Sequence, residues 1–372
     1  MAKFPQIAQL IAQSAGTLSA AAATCSHRTS LSSYHLHLRV TIYCLILAGS
    51  VRAQSLGGNS VFNFLKLPNT PQLSALGGVN VSSVSNDVGL AFNNPALLDQ
   101  AMHTQVNAAF NSFYDGITAY HLSLGYHSPK LNTTFSWGLN YLSYGDVLQT
   151  DASGNLLGNF RPTDWVMQVS AARRYLERWH YGMTMKFIHS GYGQYRSNGI
   201  AADVGVLYKD TSNGFSASVL AKNMGTQLKK YAGTDAADLP FDLQIGMTKR
   251  LQNSPFGFSV TAHHIHQFDL IYNDTTFNNT NGFGNSNSGL DKFFRHFVVA
   301  ANIYLGDNVE LAMGYNYLRR KELSIGSTGN GLTGFSMGLS LLLNKLQVRY
   351  ARSQYQNNTA YNQFGLNISL NQ

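Results

Sequence analysis

Charge is what this chain has least of. Only 12% of its 372 residues are Asp, Glu, Lys or Arg, about half of the roughly 25% usual in soluble domains. A chain so poor in charge would ordinarily show long apolar helices or a very large core. Mean hydropathy is nevertheless close to zero, at -0.13. Past residue 53, no apolar run reaches the ~18 residues that mark a transmembrane helix, so helical spans are excluded. Cysteine is nearly absent as well. Cys25 and Cys44 are the only two, which leaves the rest of the chain without a disulfide framework or a thiolate metal site. Gly, Asn, Ser, Tyr and Phe fill the vacated share. A chain too uncharged for water and too interrupted for apolar helices fits a transmembrane β-barrel, in which alternate residues face lipid and lumen.

The first 53 residues read as a leader. His35–Arg39 precedes an apolar stretch over 40–49, and Val51-Arg52-Ala53 offers a small-residue cleavage site, with Gln54 as the new N-terminus. The apolar stretch is too short to cross a bilayer. Residues 1–34 carry no pattern, and a leader of 53 residues exceeds the usual 15–30 or so. Translation is therefore expected to begin downstream, near Leu31, at a non-Met codon, and an unprocessed precursor beginning at Met1 would overturn this. The formal charge of +8 includes Lys3, Arg28, Arg39 and Arg52 of the leader, leaving +4 beyond it. That balance suits phosphate-bearing lipid headgroups and is too mild to imply nucleic acid.

From His103 to the end the apolar period is two. Phe335, Met337, Leu339 and Leu341 alternate with Ser336, Gly338 and Ser340; Phe241, Leu243, Ile245 and Met247 alternate with Asp242, Gln244 and Gly246. Apolar and aromatic residues on one face, with small polar ones on the other, are the signature of strands between lipid and lumen. The pattern predicts an all-β antiparallel barrel of about fourteen strands, at 103–113, 117–128, 132–144, 163–174, 179–190, 199–209, 213–223, 241–250, 255–266, 295–304, 308–318, 332–342, 344–353 and 361–370. Even-to-odd connections such as 129–131 and 305–307 are short. The odd-to-even ones include the long stretches 145–162, 224–240, 267–294 and 319–331. Loop lengths that segregate by sidedness are expected of a barrel whose N- and C-termini are periplasmic and whose long loops are extracellular.

The segment 54–102 precedes the alternation and differs from it. Over 60–102 it is turn-rich yet apolar, and exposing it to water would be unfavourable. It is expected to fold into or under the barrel as a plug. Its punctuation is Leu76-Gly77-Gly78 and Phe92-Asn93-Asn94-Pro95-Ala96.

Chemistry-bearing constellations are sparse. In His263-His264-Ile265-His266, His264 and His266 share a strand face on which a metal could be met, but the cluster lies where a strand enters a loop, with no carboxylate or Cys pattern in sequence, and reads as ordinary strand-end residues; no metal and no cofactor are expected. Gly282-Phe283-Gly284 has no helix after it to complete a phosphate cradle. No Ser, His and acid combination stands out, so no catalytic residue is expected. Lys229, Lys230, Arg319, Arg320 and Lys321 are the candidates for contact with lipopolysaccharide phosphates or a partner. Tyr114, Tyr144, Tyr192 and Tyr317, near strand ends, read as interfacial girdle residues.

Ala75-Leu76-Gly77-Gly78 followed by Ala91-Phe92-Asn93-Asn94-Pro95-Ala96 resembles the FadL-like barrels of Bacteroidetes, among them PorV. Ser60–Asn69, Lys222–Leu228, Leu239–Gln244, Arg295-His296-Phe297 and Gly314–Arg320 narrow the resemblance to members that serve type IX protein secretion. It covers nearly the whole chain past the leader. The resemblance implies a fourteen-stranded outer-membrane barrel that is not an enzyme. Its implied role is to anchor a PorZ-like surface protein beside a PorU-like sortase and a PorV-like barrel, where cargo is joined to lipopolysaccharide. Two readings stand beside it: a FadL-like transporter of hydrophobic solutes, and a PorV-like cargo shuttle. The chain departs from the pattern at its end, Leu370-Asn371-Gln372, which lacks the terminal aromatic common in such barrels, and in its long leader.

Overall fold

The computed structural model describes residues 60–113, 115–151, 153–270, 289–323, 331–356 and 359–370. The leader, its cysteines and Gln54 lie outside these, as do Tyr114, Gly282-Phe283-Gly284 and Asn371-Gln372. The described residues form sixteen strands: β1 (Gln105–Ser112), β2 (Thr118–Ser128), β3 (Thr133–Ser143), β4 (Val147–Thr150), β5 (Leu156–Phe160), β6 (Thr163–Tyr175), β7 (Trp179–Tyr192), β8 (Tyr195–Asp210), β9 (Phe215–Lys229), β10 (Asp242–Arg250), β11 (Phe256–Ala262), β12 (Phe297–Leu305), β13 (Val309–Asn316), β14 (Phe335–Leu342), β15 (Leu346–Gln356) and β16 (Thr359–Ser369). All but β4 and β5 form one closed antiparallel barrel of fourteen strands, in which β1 pairs with both β2 and β16. Closure leaves no sheet edge, the condition for a sheet to sit in lipid. No described helix is long and apolar enough to cross a membrane.

The alternation read in the sequence is the inside–outside alternation of the wall. Across β13 and β14 the outward pairs are Leu311↔Leu339, Met313↔Met337 and Tyr315↔Phe335, while Ala312↔Gly338 and Gly314↔Ser336 face inward. Leu339 and Met337 are 40% and 53% exposed, whereas Ser336 is 3% exposed. On a soluble protein such an apolar exterior would demand a partner; on a closed barrel it is the lipid face. This is a transmembrane β-barrel. Towards the short-turn end, Tyr126, Tyr175, Trp179 and Phe256 point outward, an aromatic band of the kind that sits at headgroup level.

Several boundaries differ from expectation, among them the start of β8, which begins at Tyr195; three differences bear on the site. The connection at 145–162 is a small hairpin, β4 paired with β5. Strand β9 continues through the expected loop to Lys229, bulging against β8 near Asn223, whose left-handed backbone (φ 58°) accommodates the extra residue. Strand β11 stops at Ala262, short of the histidines.

The plug occupies the lumen. It contains two short α-helices, α1 (Pro71–Ala75) and α2 (Val88–Ala91), and three single 3-10 turns, at Asn63–Lys66, Pro95–Leu97 and Gln100–Met102. Leu76, Val81, Val88, Ala91 and Ala96 are completely buried. The inward glycines of the wall are explained by this packing. A Cβ on Gly182 would lie 2.6 Å from the Pro95 carbonyl carbon, and one on Gly314 would collide with the Gly77 nitrogen. Small residues face inward because the plug backbone lies against the wall there.

Chain direction holds one surprise. The plug ends at the short-turn end, where Lys209 of β8 pairs with Asp99 at 3.0 Å. Its first described residues lie at the opposite end: Val61 N–H donates to the Asp238 carbonyl, in the connection after β9, at 2.9 Å. Ser60 and Ser369 are thus at opposite ends of the barrel; the two termini themselves lie outside the described residues. The plug runs the length of the lumen.

Candidate functional site: the plugged lumen and its mouth

The plug motifs act as its fasteners. Helix α1 begins at Thr70, whose hydroxyl caps Leu73 N–H, with Pro71 in the first turn. It ends in a Schellman motif: Gly78 N–H donates to the Leu73 carbonyl (2.9 Å) and Gly77 N–H to that of Ser74 (3.1 Å). Both glycines have φ near +90°, a conformation that side chains oppose. The turn aims the Gly77 carbonyl at the wall, where Asn316 Nδ2 (3.1 Å) and Arg319 Nη2 (3.0 Å) donate to it.

Asn93-Asn94-Pro95 ties the plug to itself and to β9. Asn93 Nδ2 donates to the Asn80 carbonyl and Asn94 Nδ2 to that of Val81, each at 2.8 Å. Asn94 Nδ2 also reaches Ser218 Oγ at 2.9 Å, while its Oδ1 caps Ala96 N–H at 3.0 Å. Lys222 Nζ donates to Asn93 Oδ1 at 2.6 Å. Two buried ion pairs complete the fastening: Lys186–Asp203 at 2.6 Å within the wall, and Arg349–Asp87 at 3.3 Å between wall and plug.

The five basic candidates separate. Lys229 and Lys230 are exposed at the long-loop end. Arg319 is not a surface residue. It is 9% exposed, and its guanidinium lies 4.2 Å from the centre of the Tyr355 ring, because the Gly77 carbonyl and Ser336 Oγ draw it into the lumen. Arg320 is half-buried and donates to the Gly331 carbonyl. Lys321 is paired with Asp291 at 3.1 Å, which also holds Arg295 and the Tyr317 hydroxyl. These contacts belong to two short helices at the mouth, α3 (Gly289–Phe294) and α4 (Tyr317–Leu323).

Tyr144 and Tyr192 are likewise not lipid-facing girdle residues. The Tyr144 hydroxyl donates to Asp164 Oδ2 at 2.6 Å, Tyr192 to the same oxygen at 3.4 Å, and Ser190 to Oδ1. The buried carboxylate draws the phenols inward. Tyr231, whose hydroxyl donates to Ser190 Oγ at 2.6 Å, completes an aromatic cup with Phe62 and Tyr195. Burial pushes the Tyr231 phenol above its ordinary pKa. The cup encloses about 610 Å³ at the long-loop end. A second cavity of about 310 Å³ lies deeper, lined by Lys66, Lys222, Asp242, His264, Arg319 and Glu322 among others. Neither cavity was legible in the sequence, because both depend on which strands meet around the plug.

No protein-family model and no curated protein sequence matches this chain. Among solved structures, it is similar to the monoaromatic hydrocarbon channel CymD, with a TM-score of 0.48 and 12% identity over 84% of this chain and 100% of that one. A TodX monoaromatic hydrocarbon channel mutant gives 0.47 and 11%, over 80% and 97%. The KdgM porin gives 0.33 and 5%, over 72% and 99%. At such identities the likeness concerns the fold alone.

Proposed function

We propose that this chain is a non-enzymatic outer-membrane anchor in which a plugged barrel serves as a rigid base and the long-loop end, facing the cell exterior, holds a surface protein. The observation that carries the reading is the lumen, packed along its length by the plug and braced by buried contacts such as Arg319 to Gly77. A lumen filled in this way is a core, and a core favours a scaffold over a passage. The mouth offers a ready docking element in the β4–β5 hairpin, which projects Leu148, Leu156 and Leu157 at 60–69% exposure; such exposed apolar clusters mark interaction sites. The resemblance in sequence motifs supplies the finer assignment. It points to PorQ, the barrel of the type IX attachment complex that anchors PorZ near PorU, PorV and lipopolysaccharide, and on this reading the exposed Lys229 and Lys230 would meet lipid phosphates.

The test is an affinity pull-down of the tagged barrel from detergent-solubilised outer membranes. A sortase-like protease and a large surface β-protein are expected to co-purify, and recovery of the barrel alone would count against anchoring. The aromatic cup favours a second reading, a FadL-like transporter that takes up a hydrophobic solute at the mouth. The two part on deletion of residues 60–102. Transport predicts faster uptake of a hydrophobic solute, whereas anchoring predicts unchanged growth on it and release of surface cargo into the medium.

A further inference from the structure

The sequence places no carboxylate beside His263-His264-Ile265-His266, but the fold does. Asp242, the first residue of β10, lies next to the turn that follows β11. The ligating atoms of Asp242, His264 and His266 are all within 4.8 Å of one another. His264 Nδ1 is 3.5 Å from Asp242 Oδ1.

The local backbone produces this convergence. With β11 ended at Ala262, His264 adopts a left-handed conformation (φ 52°), strained for a residue with a Cβ and maintained only where the surroundings hold it. Here Asp242 Oδ1 accepts the His264 N–H at 2.6 Å, and Gln267 N–H closes the turn on the His264 carbonyl at 3.0 Å. Ile265 N–H meanwhile bonds the Leu243 carbonyl at 3.2 Å, so the turn is laced to β10. The other carboxylate oxygen, Asp242 Oδ2, accepts from Gln244 Nε2 at 2.6 Å, fixing the group as an outer hydrogen bond fixes a metal ligand. His266 sits edge-on to Phe241, with ring centres 4.8 Å apart.

We infer that Asp242, His264 and His266 form a binding site for one divalent late first-row transition ion of the zinc type. Two imidazoles and a carboxylate are the donor set such ions take. Bonds of roughly 2.0–2.1 Å to a tetrahedral ion require ligand atoms about 3.3–3.5 Å apart. Asp242 and His264 already meet that spacing, and exposed His266 closes the third position by a side-chain adjustment. Asp242 and His264 line the 310 Å³ cavity, so the fourth position opens on a space that admits water. Lys222, which shares the cavity, has its ammonium engaged by Asn93, and Glu322 on the same wall offsets the charge of Lys66. The bound ion joins the start of β10 to the turn that follows β11.

The test is calorimetric titration of the full chain, purified in detergent with a histidine-free tag and stripped with chelator, using zinc chloride alone. One ion per chain is expected. His266→Ala, at an exposed position, is expected to weaken binding at least tenfold while leaving heat-modifiable gel mobility unchanged. Asp242→Asn and His264→Ala are expected to abolish it, and magnesium and calcium, which prefer all-oxygen sites, to give no heat. Absence of zinc binding by the native chain, or equal binding by native and His266→Ala chains, overturns the assignment. Should Asp242→Asn fail to fold, His266→Ala decides alone.

Discussion

At the scale of single residues, the lumen inverts ordinary expectation, because its charges are structural. Asp87 is the sharpest case. Its Oδ1 accepts from Gly89 N–H at 2.8 Å, capping α2, and from Asn107 Nδ2 at 2.9 Å on β1, while the carboxylate pairs with Arg349 of β15. One side chain thus joins the plug to two strands. Asp87→Ala would leave Arg349, itself 3% exposed, as a buried charge without its counter-ion, and breaking such pairs costs about 3–5 kcal/mol. Asp87→Asn keeps an acceptor for the cap but removes the charge, so its loss reports the ion pair and the further loss of Asp87→Ala reports the cap. Urea unfolding of both variants in lipid vesicles measures this, and an Asp87→Asn variant as stable as the native chain would refute the pairing. Little of this was legible beforehand. Gly77, Gly78 and Asn94 were visible as turn residues because their chemistry is local, whereas Arg319 read as a surface cation. Its inward turn depends on the Gly77 carbonyl, more than two hundred residues away.

At the scale of elements, the fourteen strands were legible because each buries one face against the plug and offers the other to lipid, a difference written residue by residue into the sequence. Hairpin β4–β5 was not. Both its strands are exposed along their length, so no burial contrast imposes a period of two. The same reasoning explains why His264 and His266 gave no metal signature: their carboxylate stands on the neighbouring strand, and register is set by pairing. The lipid-facing assignment has a direct consequence for β14. Leu339, near its middle, lies opposite Leu311 and Tyr350. Leu339→Arg is expected to destabilise the barrel by about 2–4 kcal/mol, the range for a basic side chain at mid-bilayer, while Leu339→Phe should be tolerated. Folding titrations into lipid vesicles would show it. An unchanged stability for Leu339→Arg would mean that this face is wet, and the membrane orientation of the wall would fail with it.

At the scale of the whole molecule, the plug and the wall are parts of one core. Wall glycines such as Gly125, Gly182, Gly205 and Gly314 have no room for a Cβ beside the plug backbone and side chains, and the plug's polar groups find partners on many strands, β1, β9, β11 and β15 among them. The barrel therefore closes around a segment that crosses it from mouth to turns. Two exposed plug residues mark the ends of that path: Asn63, beside the aromatic cup at the long-loop end, and Gln100, beside Asp99 and β8 at the other. In a chain with Cys25 and Cys44 replaced by Ser, Asn63→Cys is expected to react with a membrane-impermeant maleimide added to intact cells. Gln100→Cys should react only after the cells are opened. Because both sites belong to one short segment, their contrast reports the direction of threading and not overall topology. Labelling of Gln100→Cys from outside, with Asn63→Cys protected, would reverse the barrel in the membrane, place the hairpin and the aromatic cup in the periplasm, and remove the surface on which anchoring depends.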